Sequence, residues 1–254
     1  MPAPIMRAME EICDHVRRQG SRVWIDAEQQ VFQPTLDDWT IDLMRKHNRD
    51  GEALVYNTIQ AYLKGARANA NRHVRLAAEE GWTVGVKLVR GAYIENEIRS
   101  LIHNTKEDTD HSYDDIADMF VSQVMPKGSP ENLAFPSASL FLATHNAAST
   151  TKAAETYQTR RSAGLPTLST LECGQVHGMA DELSCSLLQE YEDSTLDPTS
   201  AKDPLRVYKC LTRGTVSECL GYLYRRAVEN RGAVERTEHM QKALAQELRR
   251  RLFG

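Results

Sequence analysis

The chain has 254 residues, 41% of them hydrophobic and 26% charged, with a formal net charge of −4. One α/β barrel of about 250 residues would take up the whole length, and the apolar share is that of a globular protein with a sizeable core. The mildly acidic balance lacks the basic footprint of a nucleic-acid binder or of a protein drawn to anionic lipid, so neither partner is expected.

In chain order, residues 1–20 carry Glu10, Glu11 and Asp14 beside Arg17 and Arg18, a mixture unlike an acid-poor organellar presequence or an apolar secretory signal. Residues 21–28 (SRVWIDAE) predict a first strand, followed by a helix from about Thr35–Asp37 that closes before Asn48. Residues 52–61 predict the second strand and residues 64–80 its Ala- and Arg-rich helix, ended by Gly81. Residues 83–93 (TVGVKLVRGAY) predict the third strand. The polar segment 104–113 (NTKEDTDHSY) reads as loop before a helix over 114–124, and 127–137, with Gly128, Pro130 and Pro136, reads as a further loop. Residues 140–145 (LFLATH) and 166–175 predict the fourth and fifth strands, with helices over 147–163 and 179–189. Residues 205–211 predict the sixth strand, leading to a helix over 216–230. A terminal helix over 235–253 repeats Met240, Leu244, Leu248 and Leu252 at four-residue spacing, a stripe expected to pack against a core.

Strands alternating with helices in this way predict a parallel sheet in one domain over residues 1–254, of the (β/α)₈ barrel type. Only six βα units can be counted, so the barrel is expected to be incomplete, holding strands three to eight of the closed form. The gap should lie between the strand bearing Asp26 and the strand bearing Cys210. Open strand edges of this kind predict self-association. Five cysteines without a C-x-x-C pair argue against disulfides and structural zinc, and no apolar run approaches the 18 or so residues of a membrane span.

In such a barrel the site forms at the C-terminal ends of the strands. Polar residues gather there: Asp26 and Glu28, Gln60, Lys87 and Arg90, Thr144 with His145 and Asn146, and Gln175 with His177. Any one of them can be a cap or a solvated end, but their succession implies a polar ligand held over the barrel mouth. On the helix 216–230, Tyr222, Arg225, Arg226 and Glu229 share one face, where paired guanidiniums suit a carboxylate. Neither G-x-G-x-x-G nor a P-loop motif occurs. The strand-end Asp26, Glu28, His145 and His177 also allow a metal-dependent hydrolase, which leaves the arginine pair without a role, and an incomplete barrel also allows a fragment without catalysis.

Ile25–Glu28 (IDAE), Gln60–Tyr62 (QAY), Lys87–Tyr93 (KLVRGAY), Thr144–Asn146 (THN), Gly174-Gln175 with Gly178-Met179, and Tyr222–Arg226 (YLYRR) with Glu229-Asn230 resemble, in order, the proline dehydrogenase family, and the segment 104–113 resembles its fungal branch. The resemblance implies a distorted barrel that binds FAD and oxidises L-proline to Δ1-pyrroline-5-carboxylate, passing electrons to a quinone-type acceptor in mitochondria. Carried over by position, Asp26, Gln60, Lys87, Val89, Gly91, Ala92, Lys106, His145 and Glu229 would lie at or beside the flavin. Tyr93, Tyr222, Arg225 and Arg226 would hold the substrate, and Lys87, Arg225 and Arg226 would serve catalysis. No metal is implied. The chain departs from the family pattern where two N-terminal strands, with a pocket lysine, are expected to be missing. It departs again at Cys210, where many members have tyrosine; a smaller residue there would suit a substituted ring or weaken proline binding.

Overall fold

The computed structural model describes residues 1–195, 205–229 and 238–253. Helix α1 (Ala3–Arg18) precedes strand β1 (Val23–Ile25). There follow α2 (Gln33–His47), β2 (Val55–Gln60), α3 (Ala66–Glu80), β3 (Val84–Val89), α4 (Lys106–Val121), β4 (Ala138–Ala143), α5 (Ala147–Ser162), β5 (Thr170–Val176), α6 (Asp181–Thr195), β6 (Arg206–Cys210), α7 (Val216–Glu229) and α8 (Glu238–Phe253). The six strands form one sheet in sequence order, every neighbouring pair parallel. β1 and β6 are its outer strands, which places the gap where the sequence predicts it.

Two apolar layers account for the architecture. On the outer face, Ile41, Leu43 and Met44 of α2, Ala70, Val74 and Ala77 of α3, and Tyr113, Ile116 and Phe120 of α4 form one buried cluster with Val55, Ile59, Val86, Leu88, Leu140 and Leu142 of the strands. All six residues of β2 are buried, as expected of a parallel strand covered on both faces. Asn48 closes the lower end of this layer. Its side-chain oxygen accepts from the Leu54 and Val55 amides, and its Nδ2 donates to the Val55 and Thr83 carbonyls at 2.8 and 2.9 Å.

On the inner face aromatic rings meet across the strands. Trp24 lies 5.2 Å from Phe141 and 6.2 Å from Tyr56, and Phe141 lies 5.9 Å from Tyr208, between ring centroids. A Cβ at Gly174 would fall 2.3 Å from Phe141 Cζ, so only glycine lets that ring lie over β5. Arg22, at the head of β1, forms an ion pair with the fully buried Glu172 of β5. It also donates to the Tyr208 hydroxyl of β6 at 3.0 Å and the Tyr56 hydroxyl at 3.3 Å, and its guanidinium lies 5.7–5.9 Å from the Trp24, Tyr56 and Tyr208 rings. One cation therefore binds both outer regions of the sheet, which requires the sheet to curl. The result is a half-barrel, an incomplete version of the (β/α)₈ type.

Three elements differ from the sequence expectation. Residues 1–20 contain a helix, α1, which buries Cys13. Helix α4 starts at Lys106, within the segment expected to be loop, because Thr105 and Asp108 form a reciprocal capping box: the Thr105 hydroxyl accepts from the Asp108 amide at 3.0 Å and Asp108 accepts from the Thr105 amide at 3.2 Å. The leucine stripe of α8 is not core: Leu244, Leu248 and Leu252 are 58–74% exposed, and the side chain of Met240 lies outside the described set. Val216, Leu220 and Leu223 of α7 are likewise exposed. Leucine periodicity specifies an apolar face but not a partner for it, and among the described residues no layer covers these two faces.

Candidate functional site at the mouth of the half-barrel

β1 stops at Ile25, and Asp26 follows on the inner side of the curl. Lys87 of β3, paired in register with Thr58 of β2 and Phe141 of β4, extends its ammonium 2.6 Å from the Asp26 carboxylate. The Asp26 side chain is 80% exposed and that of Lys87 only 23%. An ion pair with so open a partner stabilises by roughly 0–1 kcal/mol, so an electron-rich ligand can displace Asp26 from the half-buried cation at little cost.

Gln60 ends β2 opposite Val89, on the same face as Lys87. Its Nε2 donates to the Glu28 carbonyl at 2.9 Å and its Oε1 accepts from the Ala92 amide at 3.3 Å, so it joins the loops after β1 and β3. Gly91 makes that approach feasible. Its φ of 145° is disfavoured for side chains, and a Cβ there would lie 2.3 Å from the buried Tyr62 ring.

The Tyr93 hydroxyl donates to the Ala27 carbonyl at 3.2 Å, another link between the same loops. Burial first, then the negative charges of Glu28 and Asp26, push the Tyr93 phenol up from its ordinary value, while Arg226 opposes the rise. Arg226 of α7 is therefore near enough to Tyr93 to act on it electrostatically. Its guanidinium carbon stands 5.3 Å from the Tyr222 ring centroid. The side chains of Arg225 and Glu229 lie outside the described set.

His145, exposed in the turn after β4, accepts from the Val176 amide through Nε2 at 3.1 Å, so a neutral ring carries its proton on Nδ1. Lys106 stands at the first position of α4 and pairs with Asp110. Burial alone would raise the Asp110 carboxyl, but hydrogen bonds from Lys106 and Arg90 outweigh it and hold it below its ordinary value.

Several strand-end residues serve the outer layer instead of the mouth. Arg90 donates to Asp110 at 2.7 Å, Thr144 at 2.6 Å and Ser149 at 3.0 Å, with its guanidinium 4.4 Å from the Tyr113 ring centroid. It binds β3 to α4 and α5. Asn146 caps α5 by accepting from the Ser149 amide, and Gln175 is held by Ser184 of α6 at 2.8 Å. Side chains alternate across a strand, so a polar residue one place along faces the opposite layer. Nor do Asp26, Glu28, His145 and His177 form a ligand set: among the described residues no three His, Cys, Asp or Glu side chains gather closely enough to hold a metal ion. The inner aromatic wall and the Arg22–Glu172 pair are not anticipated from sequence, although Trp24, Tyr56, Phe141 and Tyr208 alternate correctly for one face of their strands.

A family model described as proline dehydrogenase matches residues 4–239. The chain is 33% identical over 252 residues to a probable mitochondrial proline dehydrogenase of Schizosaccharomyces pombe, which covers 96% of this chain and 49% of that protein. It is 32% identical over 258 residues to hydroxyproline dehydrogenase of Bos taurus, covering 97% of this chain and 50% of that one. The chain thus spans about half the length of these relatives. Among solved structures, proline utilization A of Bdellovibrio bacteriovorus superposes with a TM-score of 0.64 at 18% identity, over 84% of this chain and 20% of that one. With a family model over residues 4–239 and relatives at 32–33% identity along nearly its whole length, the chain belongs to the proline dehydrogenase family.

Proposed function

We propose that this chain builds the flavin- and carboxylate-binding side of an FAD-dependent oxidoreductase that converts L-proline, or a related cyclic secondary amine, to Δ1-pyrroline-5-carboxylate. The observation that supports this best is the convergence of Asp26, Gln60, Lys87 and Tyr93 at one end of the sheet, with Arg226 within electrostatic reach. The donor set fits a flavin. Lys87 and the remaining Gln60 N–H offer donors to its carbonyl-rich edge, and the Tyr62 ring packed against Gly91 holds the loop beside them in place.

Bound FAD would accept the hydride from the amine. The chain's own groups would do the rest. Arg226, joined by Arg225, would hold the carboxylate and so aim the ring, while Tyr93 and Tyr222 would flank it. Lys87 would set the local field. Asp26, Val89, Ala92, Lys106, His145 and Glu229 would border the cofactor. The exposed Cys210 at the end of β6 leaves space for a ring substituent, in keeping with hydroxyproline dehydrogenase among the relatives. A quinone-type acceptor and a mitochondrial setting complete the reading, the latter supported by relatives named as mitochondrial. The uncovered apolar face of α7 favours a second reading: the chain acts only when other βα units supply a covering layer.

An absorption spectrum of the purified protein tests the cofactor, with an oxidised-flavin spectrum as the expected outcome. Lys87→Met should then weaken flavin retention or slow its reduction by proline, since one preorganised charge at a developing anion is worth about 3 kcal/mol. Flavin content and reduction rate both equal to wild type would remove Lys87 from the mechanism.

A further inference from the structure

Behind β2, between α2 and α3, lies a carboxylate for which the reaction provides no role. Asp37 is 5% exposed, and among the described residues amides rather than a cation meet its charge. Gln33 and Asn57 donate to its Oδ1 at 2.8 and 2.7 Å, and Asn69 donates to its Oδ2 at 2.9 Å. His73 completes the cluster and is neutral: burial holds it below its ordinary value, Nδ1 donates to the Asn69 carbonyl and Nε2 accepts from Asn57, each at 2.9 Å.

From this carboxylate a chain of hydrogen bonds leads to the mouth. The Ala92 amide donates to Gln60 Oε1, Gln60 Nε2 donates to the Glu28 carbonyl, the Glu28 amide donates to Gln33 Oε1 at 2.9 Å, and Gln33 Nε2 donates to Asp37. Both amide orientations are dictated by the main chain, because a backbone N–H can only donate and a backbone C=O can only accept. Every donor therefore points the same way, toward a buried negative charge; the amides of Gln33 and Gln60 each polarise their own two bonds, and the halves meet at Glu28, whose N–H and C=O belong to neighbouring peptide groups and are joined by its backbone.

We propose that Asp37 and Gln33 are positioning residues: through this one-way relay the buried carboxylate fixes the orientation of the Gln60 amide and the course of the loop between β1 and α2 that carries Asp26 and Glu28. That Gln60 then meets a flavin rests on the function proposed above; the relay itself does not. A residue that merely packed α2 against the sheet would affect stability but not the Gln60 amide or the Ala92 N–H, neither of which touches residue 33 or 37.

The test uses the full chain and NMR. Asp37→Asn preserves shape and removes the charge, and Gln33→Met removes the link. Both should speed hydrogen exchange at the Glu28 and Ala92 amides about tenfold, the worth of one net hydrogen bond. They should also move the Gln60 side-chain amide protons upfield, while the β2–β3 ladder exchanges as in wild type. Added FAD should bind several-fold more weakly to both variants. Should Gln33→Met fail to fold, the near-isosteric Asp37→Asn still decides. Wild-type exchange at Ala92 together with unmoved Gln60 signals would overturn the relay. A response at both sites in a protein that takes up no FAD would uphold the relay and overturn the flavin reading instead.

Discussion

Lys87 within β3 and Arg90 just past its end stand three residues apart and perform opposite tasks. Lys87 faces the open inner side with an exposed partner, whereas Arg90 faces the outer layer with Asp110, Thr144, Ser149 and Tyr113 around it. Replacing each should therefore have a different signature. Arg90→Met should lower stability by about 3 kcal/mol, since it strips charge-assisted bonds from half-buried acceptors. The loss should depend on pH. Asp110 is depressed below its ordinary value of 3.8 in the fold, so its contribution is complete above that value and fades as pH falls through the folded one. Urea midpoints of wild type and variant should consequently converge on going from neutral pH toward about pH 3. A gap of constant size across that range would mean that Asp110 does not feel Arg90.

Elements with a strong period were legible from the sequence. The alternation of short apolar runs with longer helices yields all six strands in order, with helix ends such as Gly81, whose φ of 71° is the left-handed stop that glycine favours. Legibility failed where local chemistry outweighed composition. The polar run 104–113 is helical from Lys106 because a capping box starts it, and the buried Tyr113, Ile116, Ala117 and Phe120 give it an inward stripe. In the site, residue types at strand ends pointed to Asp26, Gln60, Lys87 and His145, but could not tell which neighbours face outward. Thr144, Asn146 and Gln175 turn out to hold helices. The relay through Gln33 and Asp37 was hidden for another reason: an i, i+4 amide–carboxylate pair on a helix reads as surface until burial is known.

For the molecule as a whole, the outer layer is closed and the ends are not. Among the described residues β1 and β6 each lack a strand neighbour on one side, and Val216, Leu220 and Leu223 present an apolar face on α7. Unpaired N–H and C=O groups beside exposed leucines favour association over solvation. The apparent mass by light scattering should therefore rise with protein concentration, and Leu220→Lys with Leu223→Lys should reduce the rise. A constant monomer mass in wild type would show that the half-barrel tolerates its edges unaided.

The cation at the head of β1 has a consequence for the time course of folding. Arg22 and Glu172 are 150 positions apart, and Arg22 and Tyr208 are 186. On a chain synthesised from its N-terminus, the arginine must wait for nearly the whole sheet before its counterion exists, and contacts of such separation are among the slowest to form. A latch made last is absent from the folding transition state, so its loss should appear in the unfolding rate alone. Glu172→Gln, which leaves the arginine without its charge partner, should speed unfolding by about two to four decades and leave refolding almost unchanged, given the roughly 3–5 kcal/mol typical of a broken buried pair. Stopped-flow measurement of both limbs decides it. Slowed refolding would mean instead that the ends of the sheet find each other early and that the strands between them are laid down inside a loop already shut.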